Sequence, residues 1–179
     1  MESRLIPEPE MTPALDLAIK ATLCVCFPDA AANFSITRAW HGSGPAYCVV
    51  VMAEGAVVAH VGAVERILRV GSQLLRIAGV QNVCVQPQFR KQGLTEPMLA
   101  QAMAEAQRRG ADMGLLFCLP ALEKLYARCG WRPVESRPVT ATAADGRRYR
   151  LDEHNILMFF PLAAQSFPPG NIDLNGDDW

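Results

Sequence analysis

The chain has 179 residues, half of them hydrophobic and a fifth charged, which fits a single globular domain spanning 1–179 and excludes the disordered and collagen-like classes. Its 17 basic and 18 acidic side chains leave a formal charge of −1, so there is no broad cationic field and a nucleic-acid partner is not expected. No run of about 18 apolar residues occurs, so no membrane-spanning helix is expected.

The opening "MESRLIPEPE" carries acids and prolines but no apolar stretch, so it does not read as a signal peptide, and the cytoplasm is the expected location. Thr12 followed by Pro13 has the chemistry of a helix start, a hydroxyl cap and then a proline in the first turn. Leu15, Ile19, Thr22 and Leu23 recur at helical spacing, and the helix should end near Cys26 to Pro28. Ala30 to Phe34 adds a candidate turn of helix, and "HGSGP", His41 to Pro45, reads as a loop. Three runs rich in apolar and β-branched residues follow, separated by Glu54-Gly55 and Gly71-Ser72, both turn-forming pairs. They predict a meander of antiparallel strands at 46–53, 56–70 and 73–86. Gly79 inside the third run signals a bulge or a close backbone approach.

Met98, Leu99, Ala102, Met103 and Ala106 repeat at three and four residues and predict an amphipathic helix over 95–109, with Gly110 at its stop. "MGLLFCL" reads as a short buried strand. "PALEKLYARCG" reads as a second helix, between Pro120 and Gly130, and "NILMFFPL" as a final strand over 155–162. The stretch 163–179, full of Pro, Gly, Asn and Asp, should be irregular. The helix after strand 83–86 is long enough for a crossover, so that strand and 114–119 should be parallel neighbours. The expected fold is therefore α/β (α+β): a mixed, mainly antiparallel sheet with one parallel strand pair, flanked by helices.

Six cysteines are present, but their apolar surroundings read as small buried hydrophobes in a reduced chain rather than as a disulfide set. Cys24-x-Cys26 has no partner pair at zinc-site spacing, and the Asp-x-Asn-Gly-Asp run from Asp173 lacks a closing glutamate, so no metal is expected.

The stretch "VCVQPQFRKQGLTEPML", Val83 to Leu99, concentrates the chemistry. An apolar strand stops at Pro87, a short loop follows with Arg90, Lys91, Gln92 and Gly93, and a helix begins near Thr95. A helix N-terminus leaves four amides without intrahelical partners and carries the positive end of the helix dipole. Such an end receives phosphate readily, and glycine lets the phosphate approach the backbone. With two cations and the Thr95 hydroxyl added, the loop reads as a pyrophosphate cradle. It is neither a P-loop nor a dinucleotide fingerprint, because the required glycines and lysine are absent.

This stretch resembles the acyl-CoA motif of the Gcn5-related N-acetyltransferases, with Arg90, Gly93 and Thr95 on its Arg, Gly and small positions. "LYARCGWRPV", Leu125 to Val134, resembles the family's later Leu-Tyr-x-x-x-Gly-aromatic segment. The order of elements is also similar. Within the family, parts of the chain resemble the aminoglycoside 2′-N-acetyltransferases and the rhizobial nodulation protein A, both of which acylate an amine on a sugar. The resemblance implies acetyl-CoA as cosubstrate and a small-molecule amine as acceptor, an amino sugar or aminoglycoside. A longer acyl chain is the alternative that the nodulation branch implies, and a non-catalytic acyl-CoA sensor is a third reading.

On that resemblance Val83, Cys84 and Val85 pair with the pantetheine arm as a further strand would, and Arg90, Lys91, Gln92, Gly93, Leu94 and Thr95 hold the pyrophosphate. Tyr126 matches the tyrosine that protonates the departing thiolate. The aminoglycoside branch has a glutamate base where this chain has Gln81, which cannot accept a proton. Water relayed by Gln81 and Asn82 is one candidate route and His60 is the other candidate base, although its mid-strand position suits a structural histidine. The acidic tail, with Asp177, Asp178 and Trp179, matches a substrate-binding segment of the aminoglycoside branch. A homodimer through a sheet edge is a candidate assembly.

Overall fold

The computed structural model describes residues 1–151 and 154–179. In chain order the helices are α1 (Pro13–Cys26), α2 (Ala31–Phe34), α3 (Thr95–Arg108) and α4 (Glu123–Arg128). The strands are β1 (Glu2–Pro7), β2 (Tyr47–Ala53), β3 (Ala56–Val70), β4 (Gln73–Val85), β5 (Met113–Cys118), β6 (Arg132–Pro133), β7 (Val139–Thr142), β8 (Arg148–Arg150), β9 (Ile156–Pro161) and β10 (Ile172–Asp173). No helix among the described residues is long and apolar enough to cross a membrane.

The meander forms as predicted. β2, β3 and β4 pair antiparallel, with Glu54 and Gly55 both at positive φ in the first turn and Gly71 at φ +55° in the second. β1 adds antiparallel to the free edge of β2, a strand that "ESRLIP" did not announce. On the other side, β4 pairs in parallel with β5, which pairs antiparallel with β9. The sheet thus runs β6-β9-β5-β4-β3 and continues on the far side through β10, β7 and β8. A second parallel pair, β7 with β10, joins the one expected.

Alternation along β2 decides which helix lies on which face. Tyr47, Val49 and Val51 point to the α3 side, where Met98, Leu99, Ala102, Met103 and Ala106 close the core. Cys48 and Val50 point to the α1 side, against Ile19, Leu23 and Phe34. α1 starts as expected, with the Thr12 hydroxyl accepting from the Leu15 amide at 3.3 Å.

Two features of β4 position the site. Its bulge falls at Asn82, not at Gly79: His60 faces Cys84 while Gly62 faces Gln81, and Asn82 takes φ +53°. Gly79 serves the other purpose of an in-strand glycine. A Cβ there would lie 2.4 Å from the indole of Trp179, so its bare backbone is what lets that ring seat on the sheet. The parallel pairing is also shorter and earlier than expected. It joins Ile77–Val80 to Met113–Leu116 and then stops, so Gln81–Val85 and the end of β5 splay apart.

The stretch 163–179 is irregular except for β10, but it is not loose. Ile172 and Leu174 are buried, and Trp179 is 6% exposed.

Candidate active site

The splay between β4 and β5 opens two clefts. The first, of about 630 Å³, runs along Val83, Cys84 and Val85 to the loop before α3. The second, of about 410 Å³, lies on the other side of the splay. Phe27, Val83, Leu122 and Tyr126 line both, so the two clefts meet there.

Of the residues predicted to hold acyl-CoA, Val83, Cys84, Val85, Arg90, Lys91, Gly93, Leu94 and Thr95 all line the first cleft, whereas Gln92 lies outside its wall. The edge of β4 facing the gap is free over 81–85, because β5 has already parted from it. Gly93 takes φ +73°, and nothing stands within 4 Å of the position a Cβ would occupy. Among the described residues, the amides of Gln92, Gly93, Leu94 and Thr95 have no hydrogen-bond acceptor. Arg90 donates through Nε to the Val85 carbonyl at 3.1 Å, which ties the cationic loop back onto the strand. A free strand edge, unpaired amides at a helix N-terminus and open space at a glycine together fit a pantetheine arm ending in a diphosphate.

Tyr126 stands where the clefts join. It is 6% exposed, its ring meets Trp131 edge-on at 6.3 Å, and its hydroxyl has no hydrogen-bond partner among the described residues. Burial, with the nearby cysteines adding to it, pushes the phenol above the ordinary tyrosine range, so it carries its proton at neutral pH. Cys84, beside it in the first cleft, is also pushed up, first by its hydrogen bond with Cys26 and then by burial. Its thiol stays protonated. All six cysteines are free.

The second cleft is walled by aromatic rings. Trp40 packs against Phe27 at 5.8 Å and Phe34 at 5.2 Å on one side, and Phe117 meets Trp179 at 5.7 Å on the other. His41 and Asp178 also line it, with Nδ1 of His41 2.5 Å from Oδ1 of Asp178.

Gln81 lines this cleft, but its amide is engaged. Nε2 donates to the Ser43 carbonyl at 2.9 Å, while Oε1 accepts from the Trp40 amide at 3.4 Å and from Asn82 at 3.5 Å. Asn82 donates in turn to the Arg38 carbonyl at 2.8 Å. The two side chains read as a water relay instead stitch the 38–43 loop onto the bulge of β4. His60 lines neither cleft. It is fully buried, its Nδ1 pairs with the Asn82 carbonyl at 3.0 Å, and burial lowers its pKa to about 4, which leaves it neutral.

The tail anions are committed to partners. Asp173 pairs with Arg148 at 2.7 Å. Asp177 accepts from the Tyr149 hydroxyl, and its carbonyl accepts from Arg66. The Asp178 carboxylate lies 2.9 Å from the same hydroxyl and pairs with His41. Of the three tail residues predicted to bind substrate, Asp178 and Trp179 line the second cleft, and Asp177 faces a separate hollow beside Arg66. His41 was not foreseen. No local pattern marks it, because its partner lies at the other end of the chain.

The described residues contain no cluster of three or more His, Cys, Asp or Glu able to hold a metal ion.

The profile of the acetyltransferase (GNAT) domain matches residues 16–134, more than half of the chain. Solved structures of similar shape include Escherichia coli YhbS in complex with CoA, at TM-score 0.66 and 17% identity, covering 97% of this chain and 89% of that one. Escherichia coli ElaA gives 0.63 and 14%, covering 89% and 98%. An aminoglycoside 6′-N-acetyltransferase complexed with coenzyme A gives 0.60 and 13%, covering 90% and 97%. At such identities the likeness is one of fold. With the profile match, the split sheet and the cradle before α3 agreeing, the chain belongs to the GNAT family of acyl-CoA-dependent N-acyltransferases.

Proposed function

We propose that this protein transfers an acetyl group from acetyl-CoA to the primary amine of a small molecule. The observation that carries the reading is the meeting of the two clefts at Val83 and Tyr126. One cleft receives the donor and the other the acceptor, and the reacting atoms come together only at the splay. Positioning of this kind removes much of the barrier to a bimolecular transfer.

The chain's own groups take the following parts. The free edge of β4 at Val83–Val85 aligns the pantetheine arm, and its amides polarise the thioester carbonyl. The amides of 93–95, with Arg90 and Lys91, hold the diphosphate. Tyr126 donates to the sulfur as the carbon–sulfur bond breaks. A phenol made less acidic by burial donates in concert with bond breaking rather than before it. Gln81 and Asn82 act by holding the 38–43 loop against β4.

For the acceptor, the resemblance implies an amino sugar or aminoglycoside. The cleft favours a molecule with one ammonium on a ring that can lie against an aromatic face, an amino monosaccharide or an arylalkyl amine, over a polycation. Its walls are aromatic, and Asp178 is its one side-chain carboxylate among the described residues. Six free thiols suit a reducing compartment that contains acyl-CoA, such as the cytoplasm.

The test is CoA release across a panel of glucosamine, phenethylamine, simple alkyl amines and aminoglycosides, with acetyl- and long-chain acyl-CoA as competing donors and a control for reaction of CoA with the protein's cysteines. Turnover of a monoamine with acetyl-CoA is expected. Saturable acyl-CoA binding with no release for any amine would overturn the reading in favour of a sensor.

A further inference from the structure

We propose that His41 and Asp178 form the proton-accepting dyad of the acceptor cleft, with His41 as the base and Asp178 as a positioning residue. The proposal rests on the acyl-transfer reading above and adds the group that the reading lacks. An alkyl amine is an ammonium near neutral pH, and it cannot attack a thioester until it has lost a proton.

The other candidates do not meet the need. Gln81 has no basic atom and its amide is occupied. His60 is sealed in the sheet and lines neither cleft. Tyr126 and Cys118 line the acceptor cleft but are acids held in their neutral forms by burial.

His41 has the required placement. It is about half exposed, at 49% for its side chain, and lines the acceptor cleft, so a substrate can reach it. Asp178 is more buried, at 17%, and sits 2.5 Å from Nδ1. A carboxylate at Nδ1 fixes the proton there, which leaves Nε2 as the nitrogen with a lone pair. Both partners are held from behind. The backbone amide of Asp178 donates to the Tyr149 hydroxyl at 3.4 Å, and its carboxylate lies 2.9 Å from that oxygen. The loop of His41 is bonded to Gln81 and Asn82, and Trp40 next to it is packed on Phe27 and Phe34. Gln81 is two positions before Val83, so this stitching brings the dyad beside the splay.

The reaction balances as follows. Nε2 of His41 takes one proton from the ammonium and becomes imidazolium, stabilised by Asp178. The amine nitrogen forms its bond to the thioester carbon, and the carbon–sulfur bond breaks. Tyr126 gives its proton to the sulfur, and the nitrogen's second surplus proton restores the phenol through solvent. Amide and free CoA thiol leave, and the imidazolium returns its proton to water.

The experiment uses the full chain with acetyl-CoA and the best monoamine of the panel. His41→Ala is expected to lower kcat roughly 100-fold, leave the acyl-CoA Kd within about twofold, and regain part of its rate with added imidazole. Asp178→Asn should lower kcat roughly 10-fold, with Asp178→Glu recovering part of the loss. A weakly basic acceptor such as a hydrazide, neutral at assay pH, should feel the His41 change less. Should His41→Ala lower Tm, His41→Gln, which can still donate to Asp178, is read in its place. A kcat within threefold of the parent chain overturns the proposal. So does a loss shared equally by acyl-CoA affinity, or one indifferent both to imidazole and to the basicity of the amine. If the unaltered chain releases no CoA with any amine, the acyl-transfer reading itself fails and the dyad falls with it, an outcome that needs no variant to recognise.

Discussion

The two clefts on either side of the β4–β5 splay are of comparable size and share four residues, yet they are built in opposite ways. The donor cleft is local: Val83 to Glu96 supply its floor and rim in one continuous stretch, and only Cys26, Phe27 and the α4 region are added from elsewhere. The acceptor cleft is assembled from six separated segments, from Phe27 to Trp179, and its His41–Asp178 pair joins residues far apart in the chain. A local cradle is set by the backbone of one strand–loop–helix unit, so its chemistry survives in the order of residues. A cleft of remote parts exists only after the sheet has closed.

Substitutions can break that contrast, beginning at the junction. Tyr126→Phe keeps the ring against Trp131 and removes the only atom in question. It should lower kcat roughly 100-fold while the acyl-CoA Kd, by calorimetry, stays within threefold. An unchanged kcat would show that neither cleft needs a donor at their meeting point.

Next is the donor side alone. Gly93→Val puts a β-branched residue at φ +73°, which costs about 1–3 kcal/mol of backbone strain and crowds the open cradle. Acyl-CoA Kd should rise about tenfold, with the amine KM little changed. The acceptor side has its counterpart in Gly79→Ala. A methyl group 2.4 Å from the Trp179 indole must push the ring off the sheet, and Asp178 with it. Amine KM should rise several-fold with acyl-CoA Kd unchanged, and stability should fall by about 1–3 kcal/mol. Equal effects of both variants on both ligands would mean that the clefts are one site.

The same contrast explains what could be read in the chain. The strands at 46–53, 56–70 and 73–86 and the helix at 95–109 form within a residue or two of expectation, because hydrophobic period and turn residues act within each element. The strands that escaped notice, β1, β8 and β10, take their structure from the edges they join. In β1 only Ile6 is buried, so its sequence has little hydrophobic period to show. Gly79 was legible as a close approach but not as the seat of Trp179, a hundred residues away. Gln81 was placed at the site by the family resemblance, yet its role is set by Trp40 and Ser43, which no spacing rule connects to it.

The smallest expected effect concerns the bulge of β4, next to Val83, which lines both clefts. His60 holds the Asn82 carbonyl at the bulge that parts β4 from β5. Folded, it has a pKa of about 4; unfolded, it titrates near the free value of about 6.5. The unfolded chain therefore binds more protons between those values. The stabilising effect of keeping His60 neutral is fully present above pH ~6.5 and is lost as pH falls towards 4, by up to about 1.4 kcal/mol per pH unit. His60→Gln keeps a donor for the Asn82 carbonyl and removes the titration. Denaturant midpoints between pH 7 and 5 should fall less steeply for this variant than for the parent chain. Because the bulge serves both clefts, whatever the change costs in activity should appear in the acyl-CoA Kd and the amine KM together, unlike the one-sided effects at Gly93 and Gly79. Identical slopes for the two proteins would place the acid sensitivity elsewhere.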